Sequence, residues 1–204
     1  RDLGVASIAI STHYLADQIR EHFGDGAAHG VSIAYLDERE PLGTAGCRAM
    51  LRDEGVEPTG PILVLNGDIL TNVDFSAMRR FHDEHDAAIT VAVRKHRMAV
   101  PYGVAERDGA AIRARVEKPT YSALVTAGLY VLEPSTLGLI PRGNRFDMTE
   151  LIDATRASAA PVCAFPMHEY WLDIGQPEDY ARAQREAPAV ITSAAPTPAE
   201  RLAS

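Results

Sequence analysis

Apolar and polar residues fall into short blocks whose period changes repeatedly along the chain. Residues 5–10 form a compact run rich in β-branched side chains, which suits a strand buried on both faces. From Leu15, apolar positions recur at Ile19 and Phe23 and Gly24 follows, the spacing and the stop of a helix. Val31, Ile33 and Tyr35 alternate with smaller residues, predicting a second strand. A turn around Pro41 and Gly43 leads into a predicted helix over 45–53, and 61–65 reads as a third, fully buried strand ending at Asn66-Gly67-Asp68. Phe75, Met78 and His82 mark the apolar side of another helix, capped by Asp74, and 88–93 is a fourth strand. Strands alternating with helices in this way predict an α/β fold with a doubly wound, mostly parallel sheet.

Farther along, the pattern changes. Residues 102–106, 111–116 and 124–132 read as strands separated by turns, with Asp108-Gly109 as a hairpin signal. A helix over 148–157, a strand over 162–165 and the apolar segment 170–173 follow. The last predicted helix opens at Pro177, where Glu178 and Asp179 complement its dipole. There is no internal repeat, and the architecture reads as α/β in front and mixed α+β behind. Residues 187–204 contain six Ala and three Pro and are expected to form a flexible tail, which leaves 1–186 as the domain.

Composition narrows the function classes. The 204 residues are 46% hydrophobic and 24% charged, as in a soluble globular domain that buries its core without disulfides or metal staples. No apolar run approaches the roughly 20 residues of a membrane span, so no membrane association is expected. A net charge of −8 argues against a nucleic-acid partner. Cys47 and Cys163 are isolated, and with no signal peptide at the start they point to a reducing, cytoplasmic setting. Cys47 reads as a small core residue.

Ligands of open parallel sheets bind at the carboxyl ends of strands. Asp68 stands at such an end, after an apolar strand and Gly67, where a carboxylate can hold Mg²⁺ together with phosphate oxygens. The alternative is that it caps a turn made by Asn66-Gly67. Asp173 ends the apolar segment Tyr170-Trp171-Leu172-Asp173, a costly place for a carboxylate unless it is paired or bound to metal; capping the next helix is the other reading. Converging on one ion, the two would form a phosphate-transfer site. Eighteen Arg stand against two Lys, so Lys118 between Glu117 and Pro119 suggests a need for a compact point charge on a phosphate, although so few lysines can also survive by chance. Glu117 suits sugar hydroxyls or a neighbouring Arg. In Leu42-Gly43-Thr44-Ala45-Gly46, small residues let backbone amides approach a base or a phosphate. His82, His85 and His96 superficially resemble a metal set, but His82 and His85 fall on one half-buried helix face and read as structural.

Taken in order, these segments resemble the sugar-nucleotide pyrophosphorylases, which join a sugar 1-phosphate to an NTP. The resemblance runs from Val5 to about Ala183. It rests on the Gly-Thr-Ala-Gly loop at 43–46, Gly67-Asp68, Tyr102-Gly103-Val104, Glu117-Lys118-Pro119, Ala127-Gly128-Leu129-Tyr130 and Trp171-Leu172-Asp173-Ile174-Gly175. It implies a Rossmann-like, GT-A-like sheet with a sugar-binding part. It also implies that Asp68 and Asp173 bind the catalytic Mg²⁺, that Lys118 contacts the sugar phosphate, and that Glu117 holds sugar hydroxyls. Tyr102, Gly103, Thr126 and Gly128 match the sugar pocket; Gly43, Thr44 and Gly67 lie on the nucleotide side. The Gly-Thr-Ala-Gly form is most similar to enzymes that use GTP with mannose 1-phosphate or a related sugar. A homo-oligomer is left open.

Two departures from the family pattern matter. Thr126 stands where the family commonly has Asn, which bears on sugar choice. The opening strand and the loop Gly-Gly-x-Gly-Thr-Arg-Leu are absent from the sequence, so the resemblance implies an N-terminally incomplete chain, catalytically inactive alone and marginally stable. The missing strand would lie mid-sheet, beside residues 5–10 and 61–65. The implied reaction is attack of a sugar-phosphate oxygen on the α-phosphorus of the NTP, with pyrophosphate leaving. Two other classes compete: a non-catalytic sugar-phosphate- or nucleotide-binding regulatory module, and a metal-dependent glycosyltransferase. The latter commonly carries Asp-x-Asp after its strand, whereas this chain has Asp68-Ile69-Leu70.

Overall fold

Residues 4–51 and 53–192 are described by the structure, a computed structural model. The centre is a four-stranded sheet in the order β3-β8-β5-β9: β3 is Ile62–Leu65, β5 Ile89–Ala99, β8 Thr120–Leu132 and β9 Val162–Pro166. Along Ile89–Val93 every side chain is buried, because this part of β5 is covered on both faces. One face packs Val64, Ile89, Val91 and Tyr130 against Met148 and Leu151; the other packs Ala92, Leu129 and Val131 against Met78 and Met167. Met78 belongs to the helix Phe75–Glu84, whose first turn is closed by the Asp74 carboxylate accepting the Ala77 N–H at 2.9 Å. Met148 and Leu151 belong to the helix Met148–Ala157, which opens on a capping box between Asp147 and Glu150.

The α/β, Rossmann-like reading holds, with a mixed strand order. Strand β1, Ser7–Thr12, pairs in parallel with β2, Ser32–Asp37, across the helix α1, Ala16–Phe23. β5 and β9 are also parallel. β8 runs against both of its neighbours, where a mostly parallel sheet was expected. The reason is its approach: it follows the hairpin of β6, Val104–Asp108, and β7, Ala111–Val116, instead of a crossover helix, so it returns alongside β5 in the opposite sense. Beyond Val93 the β5–β8 pair leaves the covered sheet as an exposed two-stranded arm, Arg94–Ala99 against 120–125.

Several expectations need correction. Residues 5–10 were expected to be buried on both faces, but β1 starts at Ser7 and is mostly exposed, with Ile8 at 38%. β2 is its one strand partner among the described residues. β3 was expected to be fully buried; it stands at an edge of its sheet, and Leu65 is 45% exposed. The helix expected over 45–53 is a single helical turn, α2, Gly43–Gly46, followed by a 3-10 turn Cys47–Met50. A short strand β4, Ile69–Thr71, follows Asp68 and pairs with β10, Trp171–Asp173. With α3 (Phe75–Glu84) and α4 (Met148–Ala157) already placed, the last helix is α5, Pro177–Thr192. It passes through the boundary expected at 186 in spite of Pro188 inside it, and Val190 is buried at 6% exposure, so packing rather than local propensity holds this end. The rest of the expected tail, 193–204, lies outside the described residues.

Candidate functional site

Asp68 and Asp173 come from segments 105 residues apart and meet across one short ribbon. β4 and β10 are antiparallel, with Asp173 opposite Ile69, and the Ile174 N–H donates to the Asp68 carbonyl at 2.8 Å. One oxygen of each carboxylate lies beside Gly175. A Cβ placed on Gly175 would lie 3.1 Å from Asp173 Oδ1 and 4.0 Å from Asp68 Oδ2. One Asp173 oxygen already accepts the Gly175 N–H at 2.9 Å, which fixes the carboxylate against the turn. The pair therefore sits at the carboxyl end of β3, just beyond Asn66 and Gly67. Beside Gly67 a Cβ would meet nothing within 4 Å, so the backbone there borders open space.

Gly128 brings the second half of the site to the same turn. The Asn66 N–H donates to the Gly128 carbonyl at 2.9 Å, and a Cβ on Gly128 would lie 2.8 Å from Asn66 Nδ2. With φ at +72°, this position needs glycine twice over. Asn66 was not singled out in the sequence, because its contact with Gly128 joins strands distant along the chain. Near Gly128, the Tyr130 phenol is pushed above its ordinary pKa by burial.

The other sugar-side candidates cluster at the base of the β6–β7 hairpin. A Cβ on Gly103 would lie 3.0 Å from Glu117 Oε2, so Gly103 gives Glu117 its space, and Tyr102 beside it is exposed. Arg115 pairs with Glu117 at 3.3 Å, as the more ordinary reading of that residue foresaw. Lys118 adopts φ +42°. The residue before a proline strongly favours extended backbone, so this conformation is doubly unusual. The other non-glycine residues with positive φ, Leu15, Asp86 and Ala159, adjoin helix ends; among the described residues, Lys118 alone does not.

The loop at 43–46 is held from within. Thr44 N–H donates to Asp147 Oδ1 at 2.9 Å, the Ala45 and Gly46 N–H groups donate to the Phe146 carbonyl, and Met148 N–H donates to Thr44 Oγ1 at 2.8 Å. Three amides expected to approach a base or phosphate are thus already engaged. Gly43, at φ +77°, is required because a Cβ there would lie 2.5 Å from Asp147 Oδ1. The donated Thr44 N–H holds the Asp147 carboxyl below the usual aspartate pKa, with Arg145 assisting. Sequence reasoning missed this clasp, although Asp147 with Glu150 three residues on carries the signal of a helix start.

His82 is 1% exposed rather than half-buried; it bridges Thr90 at 2.8 Å and Glu133 at 3.2 Å. With Asp83, Asp86 and Ala87 it lines a hollow of about 340 Å³ at the end of the sheet opposite Asp68. Among the described residues no group of three or more His, Cys, Asp or Glu could hold a metal ion, and no helix is long and apolar enough to cross a membrane. A two-carboxylate site still fits Mg²⁺, which is commonly held by one or two carboxylates plus substrate phosphates.

Residues 2–189 match the nucleotidyl transferase family. The mannose-1-phosphate guanylyltransferase catalytic subunit beta of Xenopus tropicalis is 32% identical over 182 residues, covering 87% of this chain and 50% of its own length. The mannose-1-phosphate guanyltransferase of Schizosaccharomyces pombe is 32% identical over 187 residues, with the same coverages. The chain thus spans about half the length of these curated relatives. Among solved structures, HddC from Yersinia pseudotuberculosis superposes with a TM-score of 0.65 at 25% identity, covering 91% of this chain and 80% of that one.

Proposed function

Since this chain belongs to the nucleotidyl transferase family, we propose that it transfers a nucleotidyl group from GTP to mannose 1-phosphate or a closely related sugar 1-phosphate, giving a GDP-sugar and pyrophosphate. The observation that carries the proposal is that Asp68 and Asp173 each place a carboxylate oxygen beside Gly175 across the β4–β10 ribbon. The names of the relatives support the choice of GTP and mannose 1-phosphate, and the cysteine usage supports a cytoplasmic setting.

The difficulty of the reaction is that two anions must meet. An oxygen of the sugar 1-phosphate attacks the α-phosphorus; the bond from that phosphorus to the bridging oxygen breaks and pyrophosphate leaves with the electron pair. The nucleophile is already ionised near neutral pH, so no general base is needed. Lys118 neutralises the attacking phosphate, and its left-handed backbone, unusual before a proline, supports a functional role at this position. Glu117 accepts sugar hydroxyls, with Gly103 leaving it room; Tyr102, Thr126 and Gly128 line the sugar side. Asp68 and Asp173 would hold Mg²⁺, which when bound screens the phosphate charges and orients them. Gly43 and Thr44 shape the nucleotide side through the clasp to Asp147, and Gly67 admits the nucleotide close to the backbone.

Pyrophosphate release from GTP and mannose 1-phosphate tests the proposal in the full-length protein, since the 204-residue chain alone is expected to be inactive. Asp68→Asn and Asp173→Asn are each expected to abolish Mg²⁺-dependent turnover while circular dichroism and thermal unfolding stay near wild type. Near-wild-type activity in both variants would overturn it. Release of free nucleoside diphosphate in place of pyrophosphate would instead identify a glycosyltransferase.

A further inference from the structure

β10 carries Asp173 but is poorly supported by its own ribbon. It is three residues long and pairs with a strand of the same length, and an isolated two-stranded ribbon is marginal in water. Something must hold it to the large sheet. The contacts converge on Trp171: its indole N–H donates to the Ala127 carbonyl at 2.7 Å, next to Gly128. Arg94 closes the arrangement from the other strand. Its Nη1 donates to the Trp171 carbonyl at 3.0 Å, and its guanidinium lies over the indole, 5.0 Å from the ring centroid.

Arg94 is an unusual arginine in this chain. It sits half-buried on β5 where the strand leaves the covered sheet, and among the described residues it makes no ion pair. Its charge is spent on a ring face and a carbonyl, contacts that a planar guanidinium makes together more readily than an ammonium. Two residues along the chain from the Trp171 carbonyl stands Asp173.

We infer that Arg94 is a positioning residue for the metal-holding carboxylate: by clamping Trp171 between β5 and the Ala127–Gly128 stretch of β8, it sets where Asp173 stands relative to Asp68. It acts through its contacts with Trp171. The same clamp ties the metal side of the site to the strand that carries Thr126 and Gly128. The inference rests on Asp68 and Asp173 holding the ion.

Binding of Mn²⁺ in the presence of GTP, followed by electron paramagnetic resonance in the full chain, is the test. Removing a residue that orients a metal ligand typically weakens affinity by about ten- to a hundredfold, and Arg94→Met is expected to fall in that range. The Mg²⁺ concentration for half-maximal turnover should rise in parallel, with KM for mannose 1-phosphate little changed. Arg94→Lys should recover little of the affinity although it keeps the charge; it also serves as the readout if Arg94→Met does not fold. In a Trp171→Phe background, Arg94→Met should add less than it does alone. Wild-type Mn²⁺ affinity in the Arg94 variants, or a fall in thermal stability with affinity intact, overturns the inference. Asp173→Asn separates the two readings: if it abolishes Mn²⁺ binding while the Arg94 variants keep it, the inference alone fails. If Asp173→Asn binds Mn²⁺ normally, the metal site itself is wrong.

Discussion

At the scale of single residues, Lys118 is where the sequence and the structure reinforce each other from unrelated directions. The sequence offers only scarcity, one of two lysines among 18 arginines. The backbone adds a left-handed conformation before proline, away from any helix end. Such a conformation costs about 1–3 kcal/mol and persists where the surroundings over-determine it. Lys118→Ala is expected to raise KM for the sugar 1-phosphate or lower kcat by about ten- to a hundredfold, the equivalent of a charge-assisted contact. GTP binding, measured by calorimetry, should change little. Lys118→Arg should rescue poorly, because a planar fork does not replace a compact ammonium. Loss confined to GTP binding would assign Lys118 to the other substrate. Asp68 was legible because strand, glycine and Asp follow one another in the chain, and Asp173 because an acid ends an apolar segment. Their partners were not: Asn66 beside Gly128 and Arg94 on Trp171 are contacts between distant segments, with no local signature.

At the scale of elements, local chemistry was read well and length poorly. The helix Met148–Ala157 was predicted at its observed bounds, and Asp74 caps its helix as its residue type suggests. β4 escaped notice because Ile69-Leu70-Thr71 is too short to show a period, and it exists through its pairing with β10. The helix expected over 45–53 is a short α turn that tightens into a 3-10 turn at Cys47–Met50, with Gly46 packed against Asn144 and Phe146. The clasp that holds this turn has an acid-sensitive member. Asp147 has a depressed pKa when folded, so its stabilisation is complete above the unfolded aspartate value of about 3.9 and is lost as pH falls through the lower folded value. Asp147→Ala removes an N-cap, worth about 0.5–2 kcal/mol, and with it the Thr44 partner. The expected fall in Tm is about 2–4 °C per kcal/mol for a domain of this size. Thermal unfolding across pH should show the gap between wild type and variant constant from pH 7 to about 5 and shrinking below about 4. A gap unchanged at pH 3 would mean that the Asp147 charge contributes nothing.

At the scale of the molecule, hydrophobic runs identified strands correctly and their surroundings incorrectly. Residues such as Ile8 and Leu65 are apolar enough for a sheet interior, yet burial depends on which neighbours are present, and a run of residues does not record its neighbours. β1 has β2 on one side and no strand on the other among the described residues. The phase of that parallel ladder is fixed, since Ser32 N–H donates to the Ala6 carbonyl and Glu38 N–H to that of Thr12. It turns the amides of Ile8, Ile10 and Thr12 toward β2 and those of Ser7, Ala9 and Ser11 away. Deuterium uptake along this strand should therefore alternate residue by residue, slow at the even positions and near the open-chain rate at the odd ones. Residue-resolved NMR reads this directly, and any strand added on that side would slow Ser7, Ala9 and Ser11 together.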